Sequence, residues 1–258
     1  MVAQVLTRER TAELPLEQDE QRQQENQQQR FRREFERFAA LSDAAGRPLP
    51  VKWDDRQPCL DDGTITCGFD RHYVYHTAWA ARVLAANRPA RHIDISSSLY
   101  FCSIVSAFLP VDYYEYRPAN LRLDNLAVGT ADLLRLPWAD GSVRSLSCMH
   151  VVEHIGLGRY GDPLDATGDV RAMNELARVV APGGTLLLVC PVGRPRVVFN
   201  AHRIYSVEQI LGCFPEFVQA EFALIPDGRT GLGLLRDASP TFANEQWYGC
   251  GCFHLTKR

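Results

Sequence analysis

Two short stretches carry an unusual density of groups that can move protons or bind metals. "HVVEH", His150 to His154, sets two imidazoles around the carboxylate of Glu153, and "HYVYH", His72 to His76, sets two more imidazoles four residues apart. Imidazole titrates near neutral pH and a neighbouring carboxylate can orient it or share its proton, so general acid–base work by Glu153 and His154 is the first chemistry HVVEH allows. HVVEH also matches an H-x-x-E-H zinc-ligand pattern. That use needs both histidines on one helix face. The apolar run "SLSCMHVV" before it, with Gly156 and Gly158 after it, predicts a strand passing into a loop instead. "CGC", Cys250 to Cys252, followed by His254, offers three more ligand types. They alternate along the chain and so share one face of a strand, where a sheet lined with small thiols accounts for them. Tyrosines and Trp79 near His72 and His76 predict a packed, hydrogen-bonded helix face, with a pocket-lining role as the alternative.

The elements that must hold these groups follow from periodicity. "FDRHYVYHTAWAARVLAANRP" reads as a helix stopped by its Asn-Arg-Pro end. After it, "RHIDI", "VDYYEY", "NLAVGTAD", "VRSLSCMHV" and "TLLLVCPV" are strand-like. One helical segment follows the first strand and another, "ATGDVRAMNELARVV", precedes the last. A helix near "SVEQILGCF" and strands "FVQAEFALI" and "QWYGCGCFHLTK" complete the chain. Such alternation predicts an α/β, Rossmann-like, seven-stranded and mostly parallel sheet with helices on both faces, over residues 46–258. Residues 1–45, dominated by Gln, Glu and Arg, predict a helical extension whose only apolar face is Phe31, Phe35 and Phe38 near its end. The glutamine-rich part is expected to project into solvent or to meet another subunit, giving a homo-oligomer.

Composition narrows the function. A net charge of -3 and a pI near 6.2 supply no basic field for nucleic acid. No apolar run reaches the length of a membrane span, and "MVAQVLTRER" lacks the apolar core of a signal peptide, so a cytoplasmic chain without a membrane partner is expected. The eight cysteines are expected to be mainly reduced and buried.

In open parallel sheets ligands bind beyond the carboxyl ends of the strands. Those ends are polar here: Asp94 with Ser96 to Ser98, then Glu115 and Arg117, then Asp132, then His150, Glu153 and His154. The order resembles a class I S-adenosylmethionine-dependent methyltransferase. "ADLLRLPWADGSVRSLSCMHVVEHI" is similar to that family's third strand, linker and fourth strand, and "AMNELARVVAPGGTLLLVCPV" to its E-x-x-R helix, PGG turn and fifth strand. From about Trp53 onward the chain resembles more narrowly an uncharacterised bacterial methyltransferase-like family, with "FDRHYVYH", "CMHVVEHIGLGRYGDPLD", "FNAHRIYS" and "YGCGCF" as its marks.

The resemblance implies methyl transfer from S-adenosylmethionine, with S-adenosylhomocysteine as product, to a small-molecule acceptor such as a sugar or secondary metabolite. Oxygen is the preferred acceptor atom. Cofactor contacts are expected from Asp94, Ser96, Ser98, Glu115, Asp132, Leu133 and His150. Glu115 would accept from the ribose hydroxyls and Asp132 from the adenine amino group, with Leu133 beside the ring. The family's first-strand glycines are replaced by Ser96, Ser98 and Tyr100, which suits close cofactor approach only if neither serine has to take a positive φ. Tyr100 is expected to start the next helix. His154, Glu153 and His202 are the candidate catalytic residues for taking an acceptor proton. Tyr160, Asp162 and Arg203 are expected in the acceptor pocket. An assisting metal would draw on His154, Asp162, Asp165 or His202, although no metal is assigned. The contrasting reading is a methyltransferase-fold scaffold that has lost its cofactor.

Overall fold

A computed structural model describes residues 10–228 and 231–258, in two compact units that meet in sequence at Gly68 and Phe69. The expected boundary at residue 45 thus falls inside the first unit, and the first nine residues of the expected extension lie outside the described residues.

The first unit is built on helix α1, Arg10–Ala44, which runs through the glutamine-rich stretch. Its apolar end is used locally. Phe31 and Phe35 pack on Trp53 with ring centroids 6.0 and 4.9 Å away. The guanidinium groups of Arg32 and Arg56 lie 5.5 and 4.4 Å from the same ring, so Trp53 is enclosed by two aromatic and two cationic neighbours.

The second unit opens with α2, Arg71–Asn87. Asp70 caps it by accepting from the Tyr73 amide, and Arg88 ends it in the left-handed region. Strands β1 (His92–Ile95), β2 (Val111–Glu115), β3 (Leu126–Thr130), β4 (Val143–Met149) and β5 (Val180–Val192) form the parallel part of the sheet. Helix α3, Leu99–Val105, follows β1, and α4, Gly168–Val179, precedes β5. A hairpin of β6 (Arg196–Val198) and β7 (His202–Ile204) stands apart from the main sheet. Then come α5 (Val207–Gly212), β8 (Phe217–Ile225), β9 (Leu235–Arg236), α6 (Pro240–Asn244) and β10 (Gly249–Lys257).

The sheet order is β3-β2-β1-β4-β5-β10-β8-β9, with β10 antiparallel to both β5 and β8. The eighth strand, β9, is a two-residue addition on the edge of β8. It is too short to leave an alternating pattern in the sequence.

Both faces are buried, and period two distributes the side chains between them. Leu186, Leu188, Cys190 and Val192 of β5, with Phe253 and Leu255 of β10, pack under α4 and α5. Leu187 and Val189, with Cys250 and Cys252, pack under α2 and α3. Inside this core His92 lies between two hydroxyls of β4, with Nδ1 2.8 Å from Ser145 Oγ and Nε2 2.8 Å from Ser147 Oγ. The E-x-x-R motif is a clamp. The Glu175 carboxylate bonds Arg178 and accepts from the Leu136 amide, while Arg178 donates to the carbonyls of Leu136 and Trp138 and to Asp140. These bonds fix the long 131–142 connection that delivers β4. Just beyond α4, Gly184 tolerates no side chain, because a Cβ there would lie 2.7 Å from the Ala181 carbonyl.

Candidate functional site

The chain runs outward from β1 through β2 to β3 and then returns to place β4 on the other side of β1. The carboxyl ends of β1 and β4 therefore flank the switch point where open α/β sheets bind ligands. Two different polar assemblies stand there.

The first is the serine turn after β1. Asp94 has no exposed surface. Its Oδ1 accepts from the Ser97 amide at 3.0 Å and its Oδ2 from the Ser147 hydroxyl. Burial outweighs these bonds and raises its pKa to about 6. Asp94 thus acts on any ligand only through the turn it holds. Ser97 Oγ accepts in turn from the Met149 amide at 2.9 Å, which ties this turn to the end of β4. Ser96 sits at φ 55°, so the condition set by the sequence fails at this position: serine adopts the left-handed turn that glycine makes without strain. Its amide donates to the Tyr114 carbonyl at 2.8 Å. Ser98 caps α3 with extended backbone and no side-chain cap bond, and Tyr100, in the first turn of α3, is 84% exposed and does not fill the crevice.

Along the same rim, Glu115 is half-buried at the end of β2. Its Oε1 accepts from the Tyr116 amide at 2.7 Å and its Oε2 from the Tyr113 hydroxyl at 3.4 Å. Asp132 is exposed, and its Oδ1 accepts from the Leu134 amide at 2.9 Å. Leu133 points into the core beside Leu136 and Val152, leaving the rim to Asp132.

The second assembly is a cluster of imidazoles at the ends of β4 and β10 and the start of α2. His150 takes φ 59° directly after β4, and Val152–His154 forms a single 3-10 turn. HVVEH is therefore a strand end and a turn, as the flanking residues predicted, and its two histidines do not share an α-helix face. The buried Glu153 Oε1 lies 2.8 Å from His150 Nδ1, so this nitrogen carries the proton and donates. His150 Nε2 faces Cys250 Sγ at 3.4 Å. The rings of His72 and Tyr73 stack on His150 with centroids 5.5 Å away, and His76 meets it edge-on at 5.0 Å. His76 Nδ1 donates to the His72 carbonyl at 2.6 Å. Burial, reinforced by the neighbouring imidazole of His150, lowers His72 to about 4 and His76 to about 3. Both are neutral at pH 7.

His154 Nδ1 donates to the Ala201 carbonyl at 2.6 Å, and its Nε2 lies 3.8 Å from Glu153 Oε1. His202, on the β6–β7 hairpin, lies 4.9 Å from the Tyr248 ring, and partial burial lowers its pKa. The hairpin thus brings His202 and the Ala201 carbonyl to the 3-10 turn. Tyr160 meets His154 edge-on at 5.9 Å.

The carboxylates expected as helpers have other duties. Asp162 accepts from the amides of Gly156, Gly158 and Tyr160; burial works against its ionisation, and these bonds overcome it and lower its pKa. Asp165 accepts from Thr167 and pairs with Arg171. Arg203 donates to the Ile155 and Asp165 carbonyls. All three shape the 155–167 loop, and among the described residues no metal-binding group of three forms from His154, Asp162, Asp165 or His202. Among the described residues, the His, Cys and carboxylate side chains that converge closely enough for a metal are instead His72, His150 and Cys250. Sequence reasoning placed Cys250 in a thiol-lined sheet face and did not foresee Tyr248. Cys250 meets His150, 100 positions away in the chain, and Tyr248 meets His202 on the β6–β7 hairpin; no local signal reports such meetings.

A putative methyltransferase from Bacillus halodurans shares this architecture at a TM-score of 0.50, with 12% identity over 70% of this chain and 98% of the other. So does the 1,6-didemethyltoxoflavin-N1-methyltransferase of Burkholderia thailandensis, solved with 1,6-didemethyltoxoflavin and S-adenosylhomocysteine. Its TM-score is 0.50, at 11% identity over 70% of this chain and 78% of that one. The fold is that of the class I S-adenosylmethionine-dependent methyltransferases. Within the methyltransferase fold, residues 141–215 match a family described as Caenorhabditis protein of unknown function, DUF268, which brings no activity with it. No curated protein matches the chain.

Proposed function

We propose that this protein transfers a methyl group from S-adenosylmethionine to a small-molecule acceptor, preferentially at oxygen, in the cytoplasm. The observation that carries the reading is the half-buried acid, Glu115, that ends the strand next to β1 at the switch point of a methyltransferase fold; the turn at Ser96 beside it is kept at the cost of a positive φ.

The residues fit the cofactor's chemistry. Ser96 supplies the backbone turn that a family glycine would supply, and Ser98 has a hydroxyl not committed to capping α3. Glu115 and Asp132 offer carboxylate oxygens for ribose hydroxyls and an adenine amine, with His150 at the sulfonium end. Bound S-adenosylmethionine supplies an electrophilic methyl carbon, so the chain's main task is alignment, worth roughly 7–11 kcal/mol in well-oriented systems. For a hydroxyl acceptor, His154 Nε2 is the proton acceptor, since the Ala201 carbonyl holds its other nitrogen protonated. Glu153 steadies both flanking imidazoles, and His202, neutral at pH 7, is the second candidate base. No described helix is long and apolar enough to cross a membrane.

Calorimetric titration with S-adenosylmethionine and S-adenosylhomocysteine tests the reading. Glu115→Ala and Asp132→Ala should each weaken binding by about 1–3 kcal/mol. His154→Ala and His202→Ala should slow turnover while leaving the cofactor bound. Absence of binding at millimolar ligand overturns the proposal in favour of a scaffold.

A further inference from the structure

The imidazole cluster contains more than a proton-transfer site needs. His72 Nδ1 or Nε2, a His150 ring nitrogen and Cys250 Sγ all lie within 4.8 Å of one another. Two imidazoles and a thiol form a borderline-soft donor set of the kind that selects zinc and its neighbours over magnesium or calcium. A tetrahedral ion with metal–ligand distances of about 2.0–2.3 Å separates its donors by roughly 3.3–3.6 Å. The 3.4 Å between His150 Nε2 and Cys250 Sγ already meets that spacing. His72 is only partly buried, so a side-chain rotation can bring it in.

The surroundings point the same way. A histidine ligand is ordinarily oriented by a carboxylate on its other nitrogen, and Glu153 does this for His150 at 2.8 Å. Glu153 Oε2 and His76 Nε2, both buried, have no hydrogen-bond partner among the described residues. Unpaired buried polar atoms are costly, and both of these belong to residues packed against His150.

We infer that His72, His150 and Cys250 form a binding site for one divalent transition ion of the zinc class, with Glu153 positioning His150 and a fourth position left for water or for an oxygen or sulfur donor of a small molecule. Binding converts the Cys250 thiol to a metal-bound thiolate: the S–H bond breaks, a sulfur–metal bond forms and one proton passes to buffer. The thiolate and the Glu153 carboxylate together balance the ion's two positive charges. The site rests on its own geometry and stands whether or not the protein transfers methyl groups.

The test uses the full chain carrying Cys59→Ser and Cys67→Ser, which removes the two exposed thiols, after chelation and dialysis. Titration with cobalt(II) should give one equivalent bound, a thiolate-to-cobalt absorption band, intense tetrahedral d–d bands and about one proton released. Zinc(II) should bleach these bands by displacement. Cys250→Ser should abolish the charge-transfer band, and His72→Gln, at a partly buried position, should weaken cobalt affinity at least tenfold. Cys252→Ser, the next thiol on the same strand face, should leave the spectrum unchanged. Absence of the band in the parent, or a band that survives Cys250→Ser or is unaffected by His72→Gln, overturns the assignment.

Discussion

The serine turn after β1 and the imidazole cluster after β4 stand at the same switch point, yet they treat their buried polar groups in opposite ways. Around Asp94 every carboxylate oxygen is matched inside the protein, by the Ser97 amide and the Ser147 hydroxyl, and the turn is tied to β4 through Ser97 and Met149. Around His150 the inventory does not close, since one oxygen of Glu153 and one nitrogen of His76 find no donor or acceptor among the described residues. A closed network rigidifies; an open one in the same fold is where a ligand's polar groups are awaited.

Acid should separate the two regions most strongly. His72, His76 and His92 have folded pKa values of about 4, 3 and 3, below the unfolded value near 6.5. Their contribution to stability is complete above pH 6.5 and is lost as pH falls toward 4. Asp94 has the reverse sign. Its folded pKa of about 6 exceeds the unfolded 3.8, so its contribution is present below pH 3.8 and is lost as pH rises through 6. Three imidazoles outweigh one carboxylate, and metal-free protein should lose stability on acidification from pH 6.5 to 4.5, by on the order of 1 kcal/mol or more per pH unit. Urea unfolding across that range checks this, and a flat or rising profile would break the comparison. Asp94→Asn should steepen the decline.

Asp94→Ala should cost about 2–5 kcal/mol, because it orphans an amide and a hydroxyl in the interior. Urea midpoints at constant slope measure it. Glu153→Gln should be far milder in metal-free protein, within about 1 kcal/mol of neutral, since it removes a buried charge that was only half-satisfied. A loss as large as that of Asp94→Ala would mean the cluster is as complete as the turn. Smallest of all, Ser96→Gly should stabilise by a few tenths of a kcal/mol up to about 1, as relief of the positive φ exceeds glycine's entropy cost. Thermal unfolding of the pair reads this directly.

Much of the scaffold was legible because it is local. Alternating strands and helices foretold the parallel sheet, and the glycines after HVVEH foretold a strand end in place of a zinc helix. What escaped was orientation and long-range meeting. Asp94 was expected at the cofactor, but a side chain at a strand end faces either ligand or core, and only Ser147 on the adjacent strand decides which. Leu133 shows the same ambiguity one residue from Asp132. The β6–β7 hairpin was hidden because each strand has three residues, too few for a period. Cys250 was read by its strand neighbours, while its partner came from β4.

His92 has a consequence for how the site is assembled at all. Were β1 to slide two residues along β4, its apolar pattern would still point inward, and hydrophobicity alone would not object. The imidazole, however, would then face Val143 or Met149 in place of one serine, stranding a ring nitrogen in a dry interior. This histidine is in effect a two-pronged key, admitting only the alignment in which both strand ends arrive side by side.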